Sequence, residues 1–225
     1  MNPLKHLLPG GRSSRTTRFG LYRGIRLFLD LRGGDLQVFA GLYEREIPPF
    51  LHRALPGCRG ALDLGAARGE LSLLFLREPG MESVVAVEPS ANELVIFHAN
   101  LVANQRNYDP RLHLHAGYAG RGELPLWRTL DEFAVELPGP VFLKIDIDGP
   151  EADVLATGSE LLSTRDCRIL IETHSPEAET ACLRQLIELG YATQVIRPAW
   201  WRALLPERRP IPHNRWLTAW RPTSP

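Results

Sequence analysis

The chain has 225 residues, 44% of them hydrophobic and 23% charged, and its 26 Lys and Arg balance 26 Asp and Glu. That is the composition of a globular protein with one sizeable core, and zero net charge supplies no overall field for nucleic acid. No apolar run approaches the roughly 18 residues of a membrane span, and the three cysteines, Cys58, Cys167 and Cys182, show neither metal-ligand spacing nor the even count of a disulfide framework, so reduced thiols and a cytoplasmic location are expected.

In chain order, residues 1–55 read as a tail and a helical extension. Met1 to Arg18 lacks the apolar core of a signal peptide, and the local basic excess over the first 35 residues is not enough to imply a nucleic-acid partner. Leu21, Tyr22, Ile25, Phe28 and Leu29 recur at helical spacing with Arg23 and Arg26 turned away, which predicts an amphipathic helix from Gly20 to Leu31, ended by Gly33-Gly34. A second helix is predicted over Tyr43 to Leu55, interrupted by Pro48-Pro49.

From residue 56 to 225 strands and helices alternate, the mark of one α/β domain with a mostly parallel sheet. Strands are predicted at Gly60 to Leu64, Val84 to Glu88, Arg111 to Ala116, Val141 to Asp146, Arg168 to Thr173, Tyr191 to Ile196 and Arg215 to Arg221. Helices are predicted from Glu70 to about Arg77, and over Ala91 to Asn104, Leu130 to Leu137, Glu151 to Leu162 and Glu177 to Leu189. Gly117 to Trp127 reads as a loop. Seven strands with helices on both faces make a Rossmann-like sheet with a hairpin at one edge.

The first strand runs into Asp63-Leu64-Gly65-Ala66-Ala67-Arg68-Gly69 and straight on into a helix. Glycines at 65 and 69 allow a tight turn, and the helix start directs free N–H groups at a nucleotide-like ligand. Glu88 follows at the end of the second strand, where a doubly wound sheet places an acid against a ribose diol. Ala67 stands where a dinucleotide fingerprint has its middle glycine, so a pyrophosphate would be crowded. The D-x-G-x-x-x-G form instead resembles the loop of class I S-adenosylmethionine methyltransferases.

Ligands in such sheets bind beyond the carboxyl ends of the strands, and there the unusual polar residues fall. Lys144-Ile145-Asp146-Ile147-Asp148-Gly149-Pro150-Glu151 follows the fourth strand and Glu172-Thr173-His174 the fifth. The first block resembles the K-I-D-x-E-G-x-E block of the FkbM family of methyltransferases, and residues 63–69 resemble its D-x-G-A-x-x-G loop. Val87-Glu88-Pro89, Thr129-Leu130-Asp131 and Ile171-Glu172-Thr173-His174 extend the resemblance in the same order, over about Tyr43 to Pro222. Two departures stand out: Asp148 replaces a common Glu, and Gly117-Tyr118-Ala119 offers no acid to the adenine amino group.

The resemblance implies a class I fold, S-adenosylmethionine as cofactor, and O-methylation of a hydroxyl on a small molecule or sugar. Cofactor contacts are expected from Asp63, Gly65, Ala66, Gly69, Glu88, Pro89 and Asp146, with Asp63 either binding the ammonium or pinning the loop. Removal of the hydroxyl proton falls to His174, whose ordinary pKa suits a base, or to Asp146 or Asp148 if burial raises theirs. Lys144, rare in a central strand unless paired, is read as a structural partner of Asp63, Asp146 or Glu172. No metal is expected, although Asp146, Asp148 and Glu172 or His174 are numerous enough to permit Mg²⁺. Trp200-Trp201-Arg202 and Arg208-Arg209 suit either an acceptor or a homodimer interface. The rival readings are an NAD(P)-dependent oxidoreductase, disfavoured by Ala67 and by the lack of a Tyr-x-x-x-Lys pair, and a cofactor-binding scaffold without turnover, disfavoured by the intact acids at Asp146, Asp148 and Glu151.

Overall fold

The computed structural model describes residues 8–123, 125–197 and 213–222. The chain starts with two antiparallel strands, β1 (Ser13–Thr16) and β2 (Arg26–Leu29), followed by a wide turn over Leu31–Asp35 and two short helices, α1 (Leu36–Phe39) and α2 (Pro48–Ala54). The predicted helix from Gly20 to Leu31 is therefore a hairpin. Gly20 and Gly24 hold left-handed φ values of 71° and 78° that a helix does not contain. Beyond them Leu27, Leu29 and Leu31 are buried in alternation, a period of two that the nearby Leu21, Tyr22 and Ile25 obscured. The second helix begins only at Pro48, whose fixed φ and missing N–H suit the first helical turn, because Glu44 before it is left-handed at φ 50°.

The sheet and its helices follow in the expected order. They are β3 (Gly60–Leu64), α3 (Glu70–Phe75), β4 (Ser83–Val87), α4 (Ala91–Ala103), β5 (Leu112–His115), two bridging pieces β6 (Tyr118–Ala119) and β7 (Trp127–Arg128), α5 (Leu130–Ala134), β8 (Val141–Ile145), α6 (Glu151–Leu155), α7 (Ser159–Thr164), β9 (Cys167–Thr173), α8 (Pro176–Glu188), β10 (Ala192–Ile196) and β11 (Arg215–Trp220). Seven strands form one sheet in the order β10-β11-β9-β8-β3-β4-β5, in which β11 runs antiparallel to both neighbours and the other pairs are parallel. The order reverses between β3 and β8, so the crevice of this fold opens there.

Two predicted elements are interrupted. The helix expected over Glu151 to Leu162 breaks into α6 and α7, because the Thr157 hydroxyl donates to Val154 O (2.7 Å) and accepts from the Leu130 N–H (3.0 Å), and Gly158 lies against Leu130 with no room for a Cβ. The loop after β5 gains a small ladder of β6 with β7, over which the Tyr118 and Trp127 rings stack 4.7 Å apart.

Alternation in the parallel strands divides the core into two layers. Leu62, Leu64, Val85, Val87, Leu143, Ile145, Ile169 and Ile171 face α5 to α8, whereas Ala61, Val84, Ala86, Phe142 and Leu170 face α3, α4 and the N-terminal arm. The arm shares that second layer: Phe142 lies between Phe50 of α2 and Phe75 of α3, with ring centroids 6.2 and 5.4 Å away. Among the described residues no helix is long and apolar enough to cross a membrane. Replacement of the fully buried Phe142 by Ala should cost about 3–5 kcal/mol of unfolding free energy in a urea titration. A loss under about 1 kcal/mol would mean that the arm and sheet do not share one core.

Candidate active site

The residues that immediately follow β3, β4, β8 and β9 are Gly65, Glu88, Asp146 and His174, which brings the expected polar groups to one end of the sheet. The turn after β3 is held open by three left-handed residues, Gly65 (φ 69°), Ala67 (46°) and Gly69 (77°). A Cβ on Gly65 would stand 1.8 Å from the Asp146 carbonyl oxygen, and one on Gly69 2.1 Å from the Phe97 ring. Both glycines are thus required by the chain's own packing.

Glu88 is 6% exposed and fastens this turn to the next strand. Its Oε2 accepts from the Ala67 N–H (2.8 Å) and its Oε1 from the Ser90 N–H (2.7 Å). Each carboxylate oxygen keeps a second lone pair, so two further donors can be accommodated. Ala66 is buried, its N–H donating to Val87 O, and Pro89 is exposed at the entry to α4.

Beneath the turn lies Lys144. Its Nζ donates to the carbonyls of Leu64 (3.0 Å) and Gly65 (2.6 Å) and stands 3.2 Å from Asp63 Oδ1 and 3.6 Å from Asp146 Oδ2. The other Asp63 oxygen accepts from the Ser72 hydroxyl (2.6 Å), and the Asp63 side chain is 1% exposed. Burial alone would lower the Lys144 pKa, yet Asp63, Asp146 and Glu44 outweigh it and hold the ammonium above its ordinary value.

The second polar group centres on His174. Buried Glu151, the first residue of α6, accepts with Oε1 from His174 Nδ1 (2.5 Å) and from the Gly149 N–H (2.7 Å). That bond leaves Nε2 facing Asp148 Oδ1 at 3.2 Å and Asp146 Oδ1 at 3.6 Å. Asp148 itself is left-handed at φ 53° and largely exposed, whereas Asp146 is one-quarter exposed. Burial lowers the His174 pKa, but the Glu151 hydrogen bond and the charges of Asp146, Glu151 and Asp148 together raise it.

One acid here had no signal in the sequence. Glu44 of the arm is buried, accepts from the Tyr22 hydroxyl (2.9 Å), and brings a carboxylate oxygen within 4.8 Å of those of Asp146 and Glu172. A charged residue next to Arg45 and Glu46 reads as a solvated face, and only its left-handed backbone and tertiary position distinguish it. Glu70, at the start of α3, is pushed up to about 7 by burial. Asp146, Asp148 and His174, like Glu44, Asp146 and Glu172, gather their ligand atoms within 4.8 Å, close enough to share a divalent cation. Trp200, Trp201, Arg202, Arg208 and Arg209 lie outside the described residues.

Residues 127–193 match the methyltransferase FkbM domain, and none of the curated proteins matches the chain. Among solved structures, a methyltransferase FkbM from Methylobacillus flagellatus is 21% identical with a TM-score of 0.60, over 79% of this chain and 46% of that one. The chain thus spans about half the length of that protein. A precorrin-6y C5,15-methyltransferase from Geobacter metallireducens (16% identical, TM-score 0.51, 80% of this chain and 89% of that one) is also similar. So is an S-adenosylmethionine-dependent O-methyltransferase from Thermotoga maritima (12% identical, TM-score 0.50, 81% and 67%). The shared feature is the Rossmann-like class I methyltransferase fold.

A raised His174 pKa gives stability that is complete below the ordinary value of 6.5 and is lost as pH rises through the folded value. The stability excess of the wild type over His174→Gln in urea should therefore be largest near about pH 6 and shrink towards about pH 9. An excess that grows with pH would show that the imidazole is held neutral.

Proposed function

With an FkbM methyltransferase domain over residues 127–193 set in a class I fold, we propose that this chain transfers a methyl group from S-adenosylmethionine to a hydroxyl of a small molecule or sugar. The observation that carries the reading is the Glu151–His174 pair, which aims a nitrogen between Asp146 and Asp148 at the sheet end where the glycine turn also opens. Bound there, S-adenosylmethionine would supply an electrophilic methyl on a sulfonium. The acids fit such a cation: Asp146, Asp148, Glu44 and Glu172 surround the crevice, and Lys144 is already committed to Asp63 and two carbonyls.

The chain's own residues divide the work. Glu88 accepts the two ribose hydroxyls with its remaining lone pairs, Ala66 and the Gly65 to Gly69 backbone line the cofactor's methionine side, and Pro89 borders the nucleoside side. Asp63 pins the loop through Lys144 and Ser72, the alternative its full burial favours over direct contact with an ammonium. Glu151 holds the Nδ1 proton, so that His174, once deprotonated, has its lone pair at Nε2, and the surrounding carboxylates that raise its pKa make that nitrogen a stronger base for the acceptor's hydroxyl proton. Asp146 and Asp148 then stabilise the imidazolium that forms. Proton removal is needed because an alcohol is a weak nucleophile, and alignment with the methyl matters as much.

Calorimetric titration with S-adenosylhomocysteine, NAD and NADP tests the cofactor. Micromolar binding of S-adenosylhomocysteine alone is expected, and binding of a nicotinamide cofactor instead would overturn the reading. In the same assay Glu88→Ala should lose about 1–3 kcal/mol of affinity, the scale of charge-assisted hydrogen bonds. His174→Gln should bind S-adenosylhomocysteine as the wild type does while losing methyl transfer to a sugar panel.

A further inference from the structure

The N-terminal arm grips the glycine turn through a set of polar contacts that neither the core nor the proposed chemistry explains. Arg68, inside the turn, sets its guanidinium between Asp35 of the arm (2.9 Å) and Glu93 of α4 (2.9 Å). Its carbonyl accepts from Nδ2 of Asn100 (2.8 Å), a fully buried residue whose Oδ1 accepts from the Phe28 N–H of β2 (2.7 Å). One helical turn later Asn104 accepts from the Arg26 N–H (3.0 Å) and donates to the Arg26 carbonyl (2.6 Å), so β2 is paired with side chains of α4 as if with another strand. Asp35 is itself anchored, accepting from the Asp30 N–H (2.7 Å) and from Arg12 (3.3 Å).

The turn needs such a grip. Ala67, with a Cβ, sits at φ 46°, a region sparsely populated for residues other than glycine. Its N–H is the one Glu88 accepts, so a turn that relaxed at 67–68 would release the carboxylate assigned to the ribose. The Arg68–Asp35 pair is partly exposed, with side chains 24% and 15% accessible, and pairs of that kind contribute little to global stability. Its effect falls on the local geometry of the turn.

We propose that Asp35 and Asn100 are positioning residues for cofactor binding, acting through Arg68 to hold the Ala67 to Gly69 backbone in its binding shape, so that the arm is a working part of the cofactor site. The inference rests on the S-adenosylmethionine reading above. It gives Asp35 a function that the sequence does not declare: it sets cofactor affinity without touching the cofactor.

Calorimetry with S-adenosylhomocysteine on the full chain tests this, with melting temperature measured alongside. Asp35→Asn and Arg68→Gln should each weaken binding about tenfold with little change in melting temperature, and the double variant should fall well short of the product of the two losses, because both break one contact. Asn100→Asp, which keeps the acceptor for Phe28 but removes the donor to Arg68, should weaken binding in the same way. Unchanged affinity in Asp35→Asn, or losses that multiply and follow melting temperature, would overturn the proposal while leaving wild-type binding intact. A wild-type chain that binds no S-adenosylhomocysteine would instead remove the cofactor reading, and this proposal with it.

Discussion

Lys144 stands on β8, the central strand of the seven-stranded sheet, where an unpaired ammonium would be untenable. Its position is fixed by the register that sets it beside Asp63, and its hydrogen bonds to the carbonyls of Leu64 and Gly65 fix the end of β3. The glycine turn, the start of α3 and the Asp146 turn are therefore built outward from one buried charge pair. Removal of either partner would leave the other buried and uncompensated, a far larger penalty than the pair's net contribution to stability.

Around that pair the cleft is anionic by construction. Glu44, Asp63, Asp146, Glu151 and Glu172 are buried or partly buried; the Lys144 ammonium lies against Asp63 and Asp146, the neutral Tyr22 hydroxyl donates to Glu44, and His174 pairs with Glu151. Anionic charge gathered this closely favours the protonated form of a cationic group set among it, which is the direction seen at Lys144 and His174. The same arrangement favours a cationic ligand over a pyrophosphate, in agreement with Ala67 in the turn.

Most of the sheet was legible because parallel strands buried on both faces must be nearly continuous apolar runs, and Gly60–Leu64, Val141–Ile145 and Cys167–Thr173 are such runs. The polar residues at their ends were legible for the complementary reason: the fold places strand ends at its crevice. The arm was misread because short elements carry too few residues to separate a period of 2 from one of 3.6, and Leu27, Leu29 and Leu31 share their segment with Leu21, Tyr22 and Ile25. Glu44 was invisible because its burial depends wholly on tertiary packing. The break at Thr157-Gly158 depends on a contact with Leu130, far away in sequence, that no local pattern encodes.

The contact between Gly65 and Asp146 also has a mechanical meaning. With the Asp146 carbonyl filling the space where a Cβ would stand, the turn after β3 and the turn after β8 interlock like two teeth. Neither can shift without displacing the other. On the proposed reading, an acceptor that pulled on Asp146 or Asp148 would be felt by the glycine turn on the far side of the crevice, and acceptor and cofactor would be linked in free energy, each changing the grip on the other by the same factor.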